Sequence, residues 1–412
     1  MKNKSIITLF SILLVLSIAM QPALANAAPN QKANKIQGQY IIVLSDDSDL
    51  QTETEKAKSK GAEIIHEYKH AIKGFAVKVQ NDKVLEMIKK NNPSISYIEP
   101  DYEVQIFAQV LPNGINRVDA DLSTTASIKG IENNLDVDIA IIDTGIDLTH
   151  PDLNVFNHVT FVQGTTTGND DNGHGTHVAG TAAAKDNLFG VVGVAPDARL
   201  WAVKVLDKNG SGFLSDVIKG VDYVTDNAGL IEVANMSLGC KCSSSALDAA
   251  ITNSVTAGVT YVVAAGNSRQ NAESFSPANH PDVITVSAIA DSDGKCGGRG
   301  TSTSYGKDDT LARFSNFGSV VDMAAPGVSI YSTYKNSGYT TLSGTSMASP
   351  HVAGGAALFK ASNPDSTPSD VRNSLLSNGS TQSLTTCDGN GYGYFKGDKD
   401  GFPEPLLYVR NY

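Results

Sequence analysis

From about residue 108 onward, short apolar strand-like runs alternate with helix-like stretches. The runs cover 137–142, 200–206, 231–238, 260–265 and 283–288; the helical stretches cover 174–184, 215–227, 244–257 and 346–360. Apolar runs of this kind, separated by helices, predict an α/β fold: a parallel sheet covered by helices on both faces. In such a sheet the chemistry gathers at the carboxyl ends of the strands. The segments 291–310 and 380–402, rich in small and polar residues, read as loops.

The 412 residues are 41% hydrophobic and 18% charged, enough to bury a sizeable core. A net charge of −11 with no Lys/Arg-rich patch argues against a nucleic-acid partner. At the N-terminus, Lys2 and Lys4 precede an apolar run over 6–20, followed by Ala23-Leu24-Ala25. This is the pattern of a signal peptide, shorter than the ~20 residues that span a bilayer. Removal after Ala25 and an extracellular product with no membrane attachment are expected. Four cysteines remain: Cys240, Cys242, Cys296 and Cys387. In an oxidising compartment they predict two disulfides, with three connectivities open. A Cys240–Cys242 bond ranks last, because so small a loop strains the bridge.

Residues 26–37 read as a flexible lead-in, and 38–107 as a separate small α+β unit. Strand-like stretches at 39–44, 62–66, 74–79, 94–98 and 102–107 flank helical stretches at 52–60 and 82–90. So short a unit is marginal alone and is expected to lean on the rest of the chain. His66 and His70 have no partners in sequence and read as surface residues.

Three stretches carry chemistry. Ile141-Ile142-Asp143-Thr144-Gly145 sets an acid at a strand end. Asn172-Gly173-His174-Gly175-Thr176-His177 sets a histidine at a helix start. Gly344-Thr345-Ser346-Met347-Ala348 sets a serine there too. Singly, each has an ordinary reading as a turn or cap. His174 and His177 are one helical turn apart, but the glutamate of the zinc-protease pattern is missing. Jointly the three supply a nucleophile, a base and an orienter of the base. The order Asp…His…Ser and the final Ala348 separate the chain from Gly-x-Ser-x-Gly hydrolases.

These motifs resemble those of subtilisin-type serine peptidases over nearly all of 108–360, and more loosely to the C-terminus. The resemblance implies that Asp143 orients, His174 acts as general base and then acid, and Ser346 attacks a peptide carbonyl. It implies Asn267, in Ala264-Ala265-Gly266-Asn267, as an oxyanion donor beside the Ser346 N–H. It implies a cleft in which Gly210-Ser211-Gly212 and Ser237-Leu238-Gly239 pair with the substrate backbone and Ala264-Ala265-Gly266 forms another wall. With no acid clearly placed for a basic side chain, Glu273 excepted, a large apolar or aromatic residue is expected before the scissile bond; around Phe275 the sequence is shorter than in several relatives, so the resemblance does not specify the pocket floor. It implies structural Ca2+ held by Gln109, Asp152, Asn187 and the carbonyls of Lys185, Phe189 and Val191, without an organic cofactor. Residues 38–107 resemble the family's inhibitory propeptide, ferredoxin-like in fold, whose last strand Glu103-Val104-Gln105-Ile106-Phe107-Ala108 would lie in the cleft.

The expected product is therefore a secreted, self-processed, monomeric endopeptidase acting on proteins and peptides. Its domains are a signal peptide at 1–25, a propeptide at 26–107 and a peptidase domain at 108–412. An esterase or acyl transferase using the same triad, or an inactive relative, are the alternatives.

Overall fold

The computed structural model describes residues 35–102, 109–132, 135–381, 383–384 and 386–412. The expected signal peptide and the expected cleft-binding segment 103–108 lie outside the described residues. Among the described residues, no helix is long and apolar enough to cross a membrane.

The N-terminal unit runs β1 (Lys35–Leu44), α1 (Leu50–Ser59), β2 (Glu63–Tyr68), β3 (Gly74–Lys78), α2 (Asp82–Lys89) and β4 (Ile95–Tyr102). Its sheet has the order β2-β3-β1-β4, with all three pairings antiparallel. Asp49 and Asn81 cap the two helices by accepting N–H bonds from the first turn. Ile42, Leu44, Phe75, Val77 and Ile88 form its own small core. His66 and His70 are exposed, as expected.

The larger unit opens with α3 (Asn113–Arg117). It continues through β5 (Asp138–Asp143), β6 (Val155–Thr160), α4 (His174–Ala183), β7 (Arg199–Lys204), α5 (Leu214–Asp226), β8 (Val233–Met236), α6 (Ser245–Thr256) and β9 (Thr260–Ala264). Then follow β10 (Ile284–Ala290), β11 (Thr310–Leu311), β12 (Met323–Pro326), β13 (Ile330–Tyr334), β14 (Gly338–Leu342), α7 (Thr345–Ser362) and α8 (Pro368–Asn378). The sheet order is β11-β10-β9-β8-β5-β7-β6, with β12 also on β10. Every pair is parallel except β10–β11.

Period-two alternation divides the sheet's side chains between two cores. Ile139 and Ile141 face one with α4 and α7; Ala140 and Ile142 face the other with α5 and α6. Each fully buried isoleucine contributes about 1.5–3 kcal/mol relative to exposure. Small residues bring α4 and α7 together: a Cβ on Gly354 would lie 2.6 Å from Val194 Cβ and 2.9 Å from Ala182 O. β6, β12, α8 and the β13–β14 hairpin were not expected from the sequence. The 291–310 segment is also more than a surface loop, since Asp291, Cys296, Asp308 and Asp309 are buried.

Candidate active site

The three motifs arrive at the carboxyl edge of the sheet. Asp143 is the last residue of β5 and is fully buried. His174 opens α4, and its Nδ1 lies 2.8 Å from Asp143 Oδ1. That oxygen also accepts the Thr144 N–H at 2.7 Å. Burial disfavours the imidazolium, yet the Asp143 charge and hydrogen bond outweigh it, so His174 titrates above the usual imidazole range. The close approach depends on glycine: a Cβ on Gly175 would meet Gly145 O at 2.1 Å and Asp143 Cβ at 3.2 Å. His177 turns away and bonds Ile330 O at 3.0 Å, so the two histidines do not share a ligand.

Behind the histidine, buried Asp170 does the positioning that the sequence reading missed. Its Oδ1 accepts from Thr144 Oγ1 at 2.9 Å and the Gly173 N–H at 2.8 Å. Its Oδ2 accepts from the Thr176 N–H at 2.9 Å and Thr176 Oγ1 at 2.6 Å. The signal available was an acid just ahead of a helix start, where it satisfies orphan N–H groups.

Ser346 lies in the first turn of α7. Its Oγ donates to Ser237 O at 3.2 Å, while Ser237 Oγ donates to Ser346 O at 2.9 Å. A buried chain extends this clamp: Asn235 Nδ2 donates to Ser237 Oγ at 3.0 Å, and Ser349 Oγ donates to Asn235 Oδ1 at 2.6 Å. The signal for Asn235 was a single amide inside an apolar strand. Asn267 follows β9, and its Oδ1 accepts both the Thr345 N–H at 2.8 Å and Thr345 Oγ1 at 3.0 Å. This fixes the amide. A Cβ built on Gly344 would lie 3.4 Å from Asn267 Nδ2 and 3.7 Å from the Ser346 nitrogen, so the two donors flank one small space.

The subtilase family model matches residues 135–394, and a peptidase inhibitor I9 model matches 19–107. The chain belongs to the subtilase family. It is 37% identical over 390 residues to an alkaline protease of Alkalihalobacillus alcalophilus, covering 92% of this chain and 94% of that protein. It is 36% identical over 396 residues to subtilisin E of Bacillus subtilis (strain 168), covering 94% and 95%. A solved cold adapted subtilisin-like serine proteinase superposes with a TM-score of 0.57 at 35% identity, covering 72% of this chain and 97% of that one. This subtilase is thus a serine endopeptidase of α/β fold with an I9 propeptide domain.

Beside His174 the subtilase has a cleft of about 630 Å³. Gly210, Ser211, Gly212, Ser237, Leu238 and Gly239 are among the residues that line it. Ala264, Ala265 and Gly266 are not brought to this cavity; they precede Asn267, where Gly266 approaches Asn316 and Phe275. Phe275 is half-buried against the core, and Glu273 is exposed and accepts from Ser319 Oγ at 2.8 Å. The lining also includes Ser276, Pro277 and the exposed Phe213.

The disulfides correct the ranking made from sequence. Cys240 pairs with Cys242, and Cys296 with Cys387. Cys240 is also held in a two-bond bridge to Ser276, at 2.9 and 3.0 Å. The Cα atoms of Cys240 and Cys242 lie 5.3 Å apart, within bridging range.

The residues expected around calcium also converge. Gln109 Nε2 lies 2.7 Å from Lys185 O and 3.3 Å from Val191 O. Asp152 is fully buried; its carboxylate accepts from Asn187 Nδ2 at 2.8 Å and the Val191 N–H at 2.9 Å. Asn187 Oδ1 accepts the Phe189 N–H at 2.9 Å. Burial pushes Asp152 up to about 6, outweighing the hydrogen bonds from Val191, Asn187 and Tyr339 and the Lys185 charge, which all pull it down. The carboxylate accepts from N–H and O–H donors, and Gln109 turns its nitrogen to the Lys185 and Val191 carbonyls. With the Gln109 and Asn187 amides turned over, their oxygens would complete the all-oxygen set that a hard divalent cation takes.

Proposed function

We propose that this subtilase is exported by its first 25 residues, matures by cutting itself near Phe107–Ala108, and then hydrolyses proteins and peptides with Asp143, His174 and Ser346. The observation that carries the reading is the 2.8 Å Asp143–His174 bond beside a cleft whose wall, Ser237, holds the Ser346 hydroxyl. For attack, the Ser346 hydroxyl rotates from Ser237 O toward His174 Nε2, which takes its proton. Asp143 holds the imidazole in the tautomer that leaves Nε2 free and stabilises the cation that forms. Asn267 Nδ2 and the Ser346 N–H then bind the oxyanion.

A peptide entering between 210–212 and 237–239 adds as a β-strand. The cleft's glycines, Leu206, Leu238 and Phe213 support a preference for large apolar side chains. Gln109, Asp152, Asn187 and the Lys185, Phe189 and Val191 carbonyls would hold calcium, whose part is structural. The intramolecular partner is the 26–107 propeptide, leaving a monomeric 108–412 peptidase.

The test is Ser346→Ala expressed alone, with N-terminal sequencing and a peptide-library profile of the parent enzyme. The variant is expected to keep its propeptide, and the parent to cut after apolar residues. Maturation of the variant without added enzyme, or a preference for Arg or Lys, would sink the reading.

A further inference from the structure

Lys204 closes β7 with its side chain buried, and the chemistry proposed above gives it no part. A buried ammonium is costly unless its charge is paired and its hydrogens are bonded. Here all three hydrogens are bonded. Nζ donates to Thr144 O at 2.7 Å, to Asp171 Oδ1 at 2.7 Å and to Leu206 O at 2.9 Å. Asp171 supplies the counter-charge from a side chain that is 43% exposed. The sheet sets the position of the lysine, because Lys204 is the register partner of Asp143 across β5 and β7.

The three acceptors belong to three segments of the candidate active site. Thr144 follows Asp143: its N–H donates to Asp143 Oδ1, and its Oγ1 accepts the Gly175 N–H at 2.9 Å and donates to Asp170. Its carbonyl is the group that Lys204 takes. Asp171 lies in the 170–173 loop that leads into His174. Within that loop Asp170 Oδ1 accepts the Asn172 and Gly173 N–H groups, and Asn172 Oδ1 accepts the His174 N–H at 3.1 Å. Leu206 lines the cleft, and its N–H donates to Asp143 O at 3.1 Å. One ammonium thus joins the turn after the acid, the loop before the histidine and the lining of the cleft.

We propose that Lys204 is a positioning residue for the peptidase reaction: it ties the Asp143–Thr144 turn to the 170–173 loop through Asp171, and so holds the His174 imidazole on Asp143 Oδ1. The proposal rests on the triad reading given above. Lys204 touches neither substrate nor the reacting atoms; it acts through the histidine loop. Misplacing a catalytic group by about 1 Å costs about 10² in rate. Cutting the tie therefore lowers kcat, while the residues that would pair with the substrate backbone stay where they are and KM changes little.

The experiment compares the mature parent, Lys204→Met, Asp171→Ala and the double variant on a chromogenic peptide, each expressed as the full chain. Rates are taken per Ser346 titrated with a serine-directed phosphonate, well below the lowest thermal midpoint, so that lost stability is not read as lost rate. Methionine keeps the unbranched stem of Lys204 and removes its three bonds. Lys204→Met is expected to lower kcat by about ten- to a hundredfold with KM within about threefold of the parent. Asp171→Ala, on a half-exposed side chain, is expected to lower kcat by about fivefold or more. The double variant should match Lys204→Met within about threefold, because both changes cut one tie. The proposal is overturned by a kcat within about threefold of the parent in Lys204→Met and Asp171→Ala, by a loss carried in KM, or by losses that multiply in the double variant. Should Lys204→Met yield no folded protein, Asp171→Ala decides alone. Ser346→Ala is the control for the triad: activity that survives it sinks that reading and this proposal together, whereas the other outcomes sink the proposal alone.

Discussion

Under the proposed function, Asn267 carries a structural role on one atom of its amide and a catalytic role on the other. Its Oδ1 accepts two bonds from Thr345, at 2.8 and 3.0 Å, and Thr345 is fully buried. Its Nδ2 is the group that faces the space beside Gly344. Asn267→Ala removes both functions. Leaving a buried Thr345 donor unpaired costs about 1–3 kcal/mol of stability. Removing one oxyanion donor in subtilisin itself costs about 10²–10³ in kcat, roughly 3–4 kcal/mol of transition-state stabilisation. Asn267→Asp keeps an acceptor for Thr345 but sets a carboxylate oxygen where the donor stood. Its stability should stay near the parent's, while kcat falls at least as far as in the alanine variant. The assay is kcat and KM on a chromogenic peptide, alongside urea unfolding of inhibitor-blocked protein. An aspartate variant within fivefold of the parent kcat would refute the assignment, as would a loss confined to KM.

Three further outcomes follow from the same geometry. Asp143→Asn should cut kcat by about 10⁴ and move the acidic limb of kcat/KM to lower pH, because the charge that raises His174 is gone; an unmoved limb would mean that another group titrates. His351 is fully buried, and burial lowers it to about 4. The unfolded chain takes up that proton near pH 6.5, so its share of stability is whole above 6.5 and is lost as pH falls toward 4. His351→Gln should flatten the acid loss of stability by up to about 1.4 kcal/mol per pH unit, read from urea midpoints between pH 7 and 4. Chelation should lower the thermal midpoint of the mature enzyme, and millimolar calcium should restore it; an unchanged midpoint would leave the Asp152 loop without an ion.

The elements legible in the sequence were those whose signal is local. Buried runs such as 139–142 and small-residue helices such as α4 and α7 declare themselves by apolar periodicity. α8 was equally local and was overlooked: Thr367 and Asp370 form a capping box with Pro368 at the first turn. The β13–β14 hairpin was hidden because Asn336 and Ser337, not glycine, take positive φ at its turn, at 60° and 53°.

Sequence alone determined the residue types of the site and their order, because a serine nucleophile needs a base and an orienter whatever the fold. It also determined the alternation that makes a parallel sheet, which brings strand ends to one edge. Tertiary structure decided what depends on distances between residues far apart in the chain. The Asn235–Ser237–Ser349 clamp, Asp170 beneath the histidine helix, the Cys296–Cys387 pairing and the buried Arg117–Asp309 pair are of this kind. None has a periodicity to read, since each joins groups far apart in the chain, and burying the polar ones costs free energy until the fold supplies the partner.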